Sequence, residues 1–268
     1  MMFWLVAAGV ASAPAASVPS AHELLLGASH AIRVYRLDQA TVMVSRALTA
    51  GASGWELDRT LADLAYASGK YSEALGRYEA LLKIRPDDAT LIEPAVIAAL
   101  KLDLVNQAAS LLSLPVSRRS STWSLWNARG VVADLKQDWA IADESYARAA
   151  LLAPGKAAPI NNHGWSLILR GDWKHALDFF EQALAFDPQS ERIADNCELA
   201  RMAIAGELPQ RRPGETNSSW AARLNDAGVV AAIRGDKSRA TAAFTQAIDV
   251  NGTWYARAAN NRDALVGP

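Results

Sequence analysis

Cysteine is nearly absent. Cys197 stands alone in 268 residues, which excludes an intramolecular disulfide, a cysteine-built zinc site and an iron–sulfur cluster. An excess of one charge is also missing. The 27 Lys and Arg against 28 Asp and Glu leave a net −1, too little field to hold a nucleic-acid backbone. The four histidines, His22, His30, His163 and His175, include no i, i+4 pair, and His-Glu-x-x-His does not occur. No Gly-x-Ser-x-Gly elbow is present, and Gly69-Lys70 and Gly155-Lys156 lack the flanking residues of a phosphate loop. No catalytic residue, metal or cofactor is therefore expected. Val, Ile and Thr are sparse beside alanine, which fills about a fifth of the positions, and that balance favours helix over strand.

Long apolar runs are scarce too. The clearest, residues 1–13, is shorter than the roughly 20 residues a membrane-spanning helix needs. It leads into a small-residue tract with Pro14 and Pro19, and the whole resembles the apolar and cleavage regions of a secretory signal. No Lys or Arg precedes it, the first basic side chain being Arg33. A cut after Ser17 fits the small residue Ala15, and residues 1–21 are assigned to a signal peptide or flexible N-terminus. The mature chain is then exported, periplasmic or envelope-associated; without cleavage it is cytoplasmic. No cysteine directly follows the run, so a lipid-anchored bacterial lipoprotein is not expected for the chain as written.

One period organises the chain. Ala40, Ala74, Ala108, Ala142 and Ala176 recur at one constant spacing, and Ala240 resumes the series after a single longer step. Tyr78, Leu112, Tyr146 and Phe180 each stand four positions beyond their alanines, while Gly130 with Gly164 and Pro154 with Pro188 keep the same interval. Four series sharing one period require a repeat.

The repeat resembles the tetratricopeptide repeat family, a helix, a tight turn and a second helix in about 34 residues. The resemblance rests on Trp126-Asn-Ala-Arg-Gly130 with Asp138-Trp139, Ala142, Tyr146, Ala149 and Pro154. It rests equally on Ile160-Asn-Asn-His-Gly164 with Gly171-Asp172-Trp173, Ala176, Phe180, Ala183 and Pro188, and covers about residues 22 to 265. It implies an all-α, right-handed superhelical solenoid. Gly130, Gly164 and Gly228 let the second helix approach the first, against a helix-propensity penalty of about 1 kcal/mol each. The aromatic ladder, including Phe244, fills the space toward the next repeat. Gly69, Gly171 and Gly235 take the turns, and the prolines end second helices.

Two stretches break the pattern. The unit over residues 89–119 carries Pro94 in its first helix and ends in a loop. After Pro188 a first helix is predicted over about 191–205, but its partner is replaced by residues 206–214, with two prolines and two glycines. The expected organisation is a repeat array over 22–205, about five units plus a lone first helix. A loop or hinge at 206–217 comes next, then a final unit with a capping helix over 218–268.

In this fold the first helices line the concave side. Asn127, Asn161 and Asn225, with Asp195, fall at the fifth position of their units, and Asn162, Asn196 and Asp226 at the sixth. Val131, Leu135, Trp165, Leu169, Val229 and Ile233 fall at the ninth and thirteenth. Amides over an apolar floor suit the backbone of an extended peptide. Asn127, Val131, Asn161, Asn162, Trp165, Leu169, Asn225 and Val229 are therefore the candidate groove residues; local bonding is the competing use of the amides. Chaperone-binding members of the family carry a Lys- and Arg-rich clamp that is missing here. His163 and Cys197 sit at core positions and read as packing residues.

These features describe a non-enzymatic scaffold with a protein or peptide partner, no nucleic acid and only indirect membrane association. Asn161-Asn-His-Gly-Trp-Ser-Leu looks like the repeat proteins of bacterial tight-adherence (Flp-type) pilus assembly, which implies an envelope role in pilus assembly or secretion. A self-assembling repeat protein and the regulatory subunit of an enzyme on another chain answer to the same residues. The oligomeric state is not written in them.

Overall fold

The computed structural model describes residues 19–118, 122–251 and 255–265. Fourteen α-helices and no strand occur among them, so the chain is all-α as expected. They are α1 (Ala21–Arg33), α2 (Leu37–Thr49), α3 (Trp55–Ala67), α4 (Tyr71–Ile84), α5 (Ile92–Lys101), α6 (Val105–Ser113) and α7 (Trp123–Leu135). The rest are α8 (Trp139–Leu152), α9 (Ala157–Leu169), α10 (Trp173–Phe186), α11 (Glu191–Ala205), α12 (Asn217–Ile233), α13 (Lys237–Asn251) and α14 (Ala256–Ala264). The chain divides into two compact units, 1–85 and 86–268. The interruption at 206–217 lies inside the second unit and does not set the final repeat apart. The apolar run of residues 1–13 and two ends of the expected capping helix, Trp254 and Val266, lie outside the described residues.

Six hairpins, α1–α2, α3–α4, α5–α6, α7–α8, α9–α10 and α12–α13, turn in one way. The residue at the bend is left-handed at Tyr35, Gly69, Asp103, Gln137, Gly171 and Gly235, with φ between 57 and 80°. The amide of the next residue reaches back five residues each time, as Lys70 N–H to Ala65 O at 2.9 Å and Asp172 N–H to Leu167 O at 2.9 Å. Glycine is the cheapest occupant, and the sequence supplies it only three times. At Tyr35, Asp103 and Gln137 the packing of the two helices imposes the conformation. Side chains then start the second helices: Asp138 and Asp172 accept the amides of Ile141 and His175. Pro94 sits in the first turn of α5 and Pro159 in that of α9, where an amide would have no partner in the helix.

The alanine ladder is fully enclosed, Ala40, Ala74, Ala108, Ala142, Ala176 and Ala240 each being 0 % exposed. The glycine and aromatic ladders form one contact. A Cβ at Gly130 would stand 2.5 Å from the Tyr146 ring, at Gly164 2.6 Å from Phe180, and at Gly228 2.5 Å from Phe244. Each ring thus lies over the glycine of its own hairpin as well as facing onward: Tyr146 lies 5.7 Å from the His163 ring of α9, and Phe180 joins Cys197 and Ala200 of α11 in a core cluster. Burial moves the Cys197 thiol up from its ordinary value, the direction that disfavours a thiolate.

Candidate functional site

The asparagines form a relay that links first helices. Asn162 Nδ2 donates to Asn127 Oδ1 at 3.0 Å, Asn196 Nδ2 to Asn161 Oδ1 at 2.6 Å, and Asn261 Nδ2 to Asn225 Oδ1 at 2.9 Å. Within a helix the fifth-position amide donates to its sixth-position neighbour, Asn161 to Asn162 at 3.3 Å and Asn225 to Asp226 at 3.2 Å. Asn161 and Asn225 are 1 % and 2 % exposed. Their expected place on a peptide-binding surface is therefore corrected: buried amides must be satisfied internally, and the neighbouring repeat satisfies them. Asn127 and Asn162 are half-buried in the same relay. The signal was present in the sequence as one recurring interval between sixth- and fifth-position amides, 127 to 162 and 161 to 196.

The apolar floor behaves differently. A cleft of about 540 Å³ opens in the second unit between the ends of α7, α9, α12 and α14. Leu135, Leu169, Val229, Ile233 and Leu265 line it, with Asp134, Gln137 and Asn261 as polar contributors. Leu135, Leu169 and Ile233 remain exposed. Trp165 and Val131 are not part of the lining. Trp165 packs edge-on to Phe180 at 6.3 Å, and Val131 packs on the cluster of Ala133, Ala142 and Tyr146. No Lys or Arg lines the cleft, in keeping with the missing clamp.

The interruption explains why these four helices meet. Trp139, which opens α8, carries at 5.7 Å the guanidinium of Arg170, which closes α9. Counted by the same interval along the chain, Trp173 would meet Ile204, which is exposed. Arg234 at the end of α12 stacks there instead, also at 5.7 Å. A Cβ at Gly171 would lie 3.8 Å from Ile233. With no second helix after α11, α12 closes onto the α9–α10 turn, and one core cluster runs through α9, α10, α11 and α12.

Ions hold the loop that replaces the missing helix. Glu198 occupies the register of Gly130 and Gly164, where no ring has to be admitted. It pairs with Arg212 of the loop, and with Arg223 of α12 at 2.5 Å. Arg223 also binds Glu215 at 2.9 Å, both side chains being 6 % exposed, and Arg212 binds Asp195 at 2.7 Å. Burial alone would raise the Glu215 carboxyl, but the Arg212 amide and the Arg223 guanidinium outweigh it and hold the group below its ordinary value.

A second polar cluster meets the cleft at Asp134, which lines it. Asp134, 8 % exposed, accepts from Tyr146 Oη at 2.7 Å and Ser166 Oγ at 2.5 Å. Burial pushes its carboxyl up and, with the carboxylate, pushes the Tyr146 phenol up. His163 bonds Asp143 at 2.9 Å and packs 4.3 Å from the Phe179 ring; burial lowers its basicity. Each group has a structural partner. Among the described residues no cluster of His, Cys, Asp and Glu could hold a metal ion, and no helix is long and apolar enough to cross a membrane.

No protein-family model and no curated protein sequence matches the chain. Among solved structures, a tetratricopeptide repeat protein from Parabacteroides merdae ATCC 43184 aligns with a TM-score of 0.60 at 15% identity, covering 92% of this chain and 99% of that one. A chain of the APC/C hetero-tetramer Cut9–Hcn1 gives 0.56 at 15%, covering 92% of this chain and 43% of that one. PilW, a widely conserved type IV pilus biogenesis factor, gives 0.55 at 13%, covering 90% and 97%. The chain has the fold of tetratricopeptide repeat proteins.

Proposed function

We propose that the chain is a non-enzymatic scaffold that holds an extended segment of a partner protein in the cleft of its second unit. The observation that carries this reading is the gathering of Leu135, Leu169, Val229 and Ile233, at recurring register positions, around one open cleft. A fully exposed large aliphatic gains about 1.5–3 kcal/mol on burial, and Leu135, Leu169 and Ile233, still 57 %, 36 % and 36 % exposed, keep part of that for a ligand. Gln137 and Asn261 stand beside them as amides for a peptide backbone. The lack of a lining cation argues for an internal segment over a terminal carboxylate. Asn127 and Asn162 serve as supports of the surface. The likeness to PilW and the N-terminal apolar run support a place in the bacterial cell envelope, in pilus assembly or secretion.

The test is capture of partners from the native host by the wild-type chain and by Leu169→Glu/Ile233→Glu, after circular dichroism has shown equal helix content. The charged pair is expected to lose at least ten-fold in recovery of the partner, since two carboxylates would have to be buried against it. Equal recovery of every bound protein would remove the cleft from consideration. Light scattering on the same samples separates self-assembly, which would appear as a wild-type oligomer that the charged variant dissociates.

A further inference from the structure

The amide relay has a gap at one step, and the gap is chemically defined. Wherever it is complete, a sixth-position amide donates to the fifth-position residue of the preceding first helix: α9 to α7, α11 to α9, and α14 to α12. At the remaining step, from α12 to α11, the two positions hold Asp226 and Asp195. Asn225 still donates to Asp226 Oδ1 at 3.2 Å, so the relay arrives at Asp226 from α14 in the usual direction. An ionised carboxylate accepts but cannot donate, and it cannot pass the relay on.

We propose that Asp226 is a proton-dependent link. When protonated, its O–H donates to Asp195 and joins α12 to α11 by the bond that asparagine makes at the other steps. When ionised, it feels the repulsion of the Asp195 charge and the seam lacks that bond. The groups around it are Asp195 on α11, bound in turn by Arg212 of the loop at 2.7 Å, with Arg257 and Tyr255 on the α14 side and Asn225 on its own helix. Burial pushes the Asp226 carboxyl up to about 6, the Asp195 charge pushes the same way, and the Asn225 bond and Arg257 oppose them. Between the ordinary 3.8 and about 6 the folded chain keeps a proton that the unfolded chain has released. The stabilisation is therefore complete below that window and lost as pH rises through it.

The experiment is urea unfolding of the full chain from pH 4 to 8, for wild type and Asp226→Asn. The amide supplies the donor at every pH. The wild-type folding constant should fall by up to roughly 100-fold relative to the variant across the window, leaving Asp226→Asn the more stable above pH 6.5. Asp134, also raised by burial, titrates in both proteins and cancels in the ratio. A ratio that stays constant with pH overturns the proposal. Carboxyl carbon NMR of wild-type Asp226 gives an independent reading should the variant not fold: a midpoint near 6 supports the link, and one below 4.5 overturns it.

Discussion

The residue that most clearly shows sequence becoming structure is Asp134. Four residues after Ala74, Ala142, Ala176 and Ala240 the repeat places a ring, and tyrosine brings a hydroxyl into the core that needs an acceptor. Tyr78 finds Asp63 at 2.7 Å and Tyr146 finds Asp134 at 2.7 Å. The next repeat has Phe180, and the positions of Asp134 and Ser166 become Ile168 and Ala200, all three 0 % exposed. Asp134→Ile alone should cost about 2–4 kcal/mol, because two buried hydroxyls lose their acceptor. Asp134→Ile/Tyr146→Phe/Ser166→Ala copies a set the chain already packs and should recover most of that loss. Urea midpoints of both variants test it; equal destabilisation would mean that the cavity and not the hydroxyls sets the cost. The tyrosine was legible in the sequence. Its acceptor was not, because Asp63 and Asp134 lie one helical turn apart in register, and only folded helices show that both reach the same hydroxyl.

Among the elements, the loop after α11 shows how far side chains can order an irregular segment. Two prolines and two glycines read as a loop or hinge, and Arg212, Arg223, Glu198, Glu215 and Asp195 bind it to both flanking helices. Removing one partner of a pair buried to this degree leaves the others uncompensated. Arg223→Ala should therefore cost about 3 kcal/mol and expose residues 206–214 to trypsin, at Arg211 and Arg212, ahead of any helix. The wild-type loop should resist as long as the helices do, and early cutting there in wild type would show that the ions do not hold it. Proline content reports which backbone hydrogen bonds cannot form. It carries no information about the side chains that dock the segment.

For the molecule as a whole, stability is shared between neighbouring hairpins, as in any repeat array. The cluster around Phe180 contains residues from α9, α10, α11 and α12. Gly164→Leu would drive a side chain into that ring, since even a Cβ meets it at 2.6 Å, and overpacking of this kind costs about 1–3 kcal/mol or more. Hydrogen exchange should show protection falling together across α9 to α12. The clusters that join α1, α2 and α3 share no residue with the Phe180 cluster and provide the internal reference. Loss confined to α9 and α10 would mean that the interruption uncouples α11 and α12 from the hairpin before them.

The helices, the hairpin turns and the buried alanine, glycine and aromatic ladders were all written in one dimension, because each depends on residues within a single repeat period and on the steric needs of neighbours along the chain. The amide interval was written there too, but its use was not. A polar side chain on the inner face reads alike whether it meets a peptide or the next helix, and only the 1 % and 2 % exposures of Asn161 and Asn225 decide between the two. The cleft belongs wholly to the tertiary structure. Leu135, Leu169, Val229 and Ile233 share it because α12 closes onto the α9–α10 turn where a second helix is missing. That closure rests on contacts between residues far apart in the chain, such as Trp173 with Arg234, which no local pattern encodes.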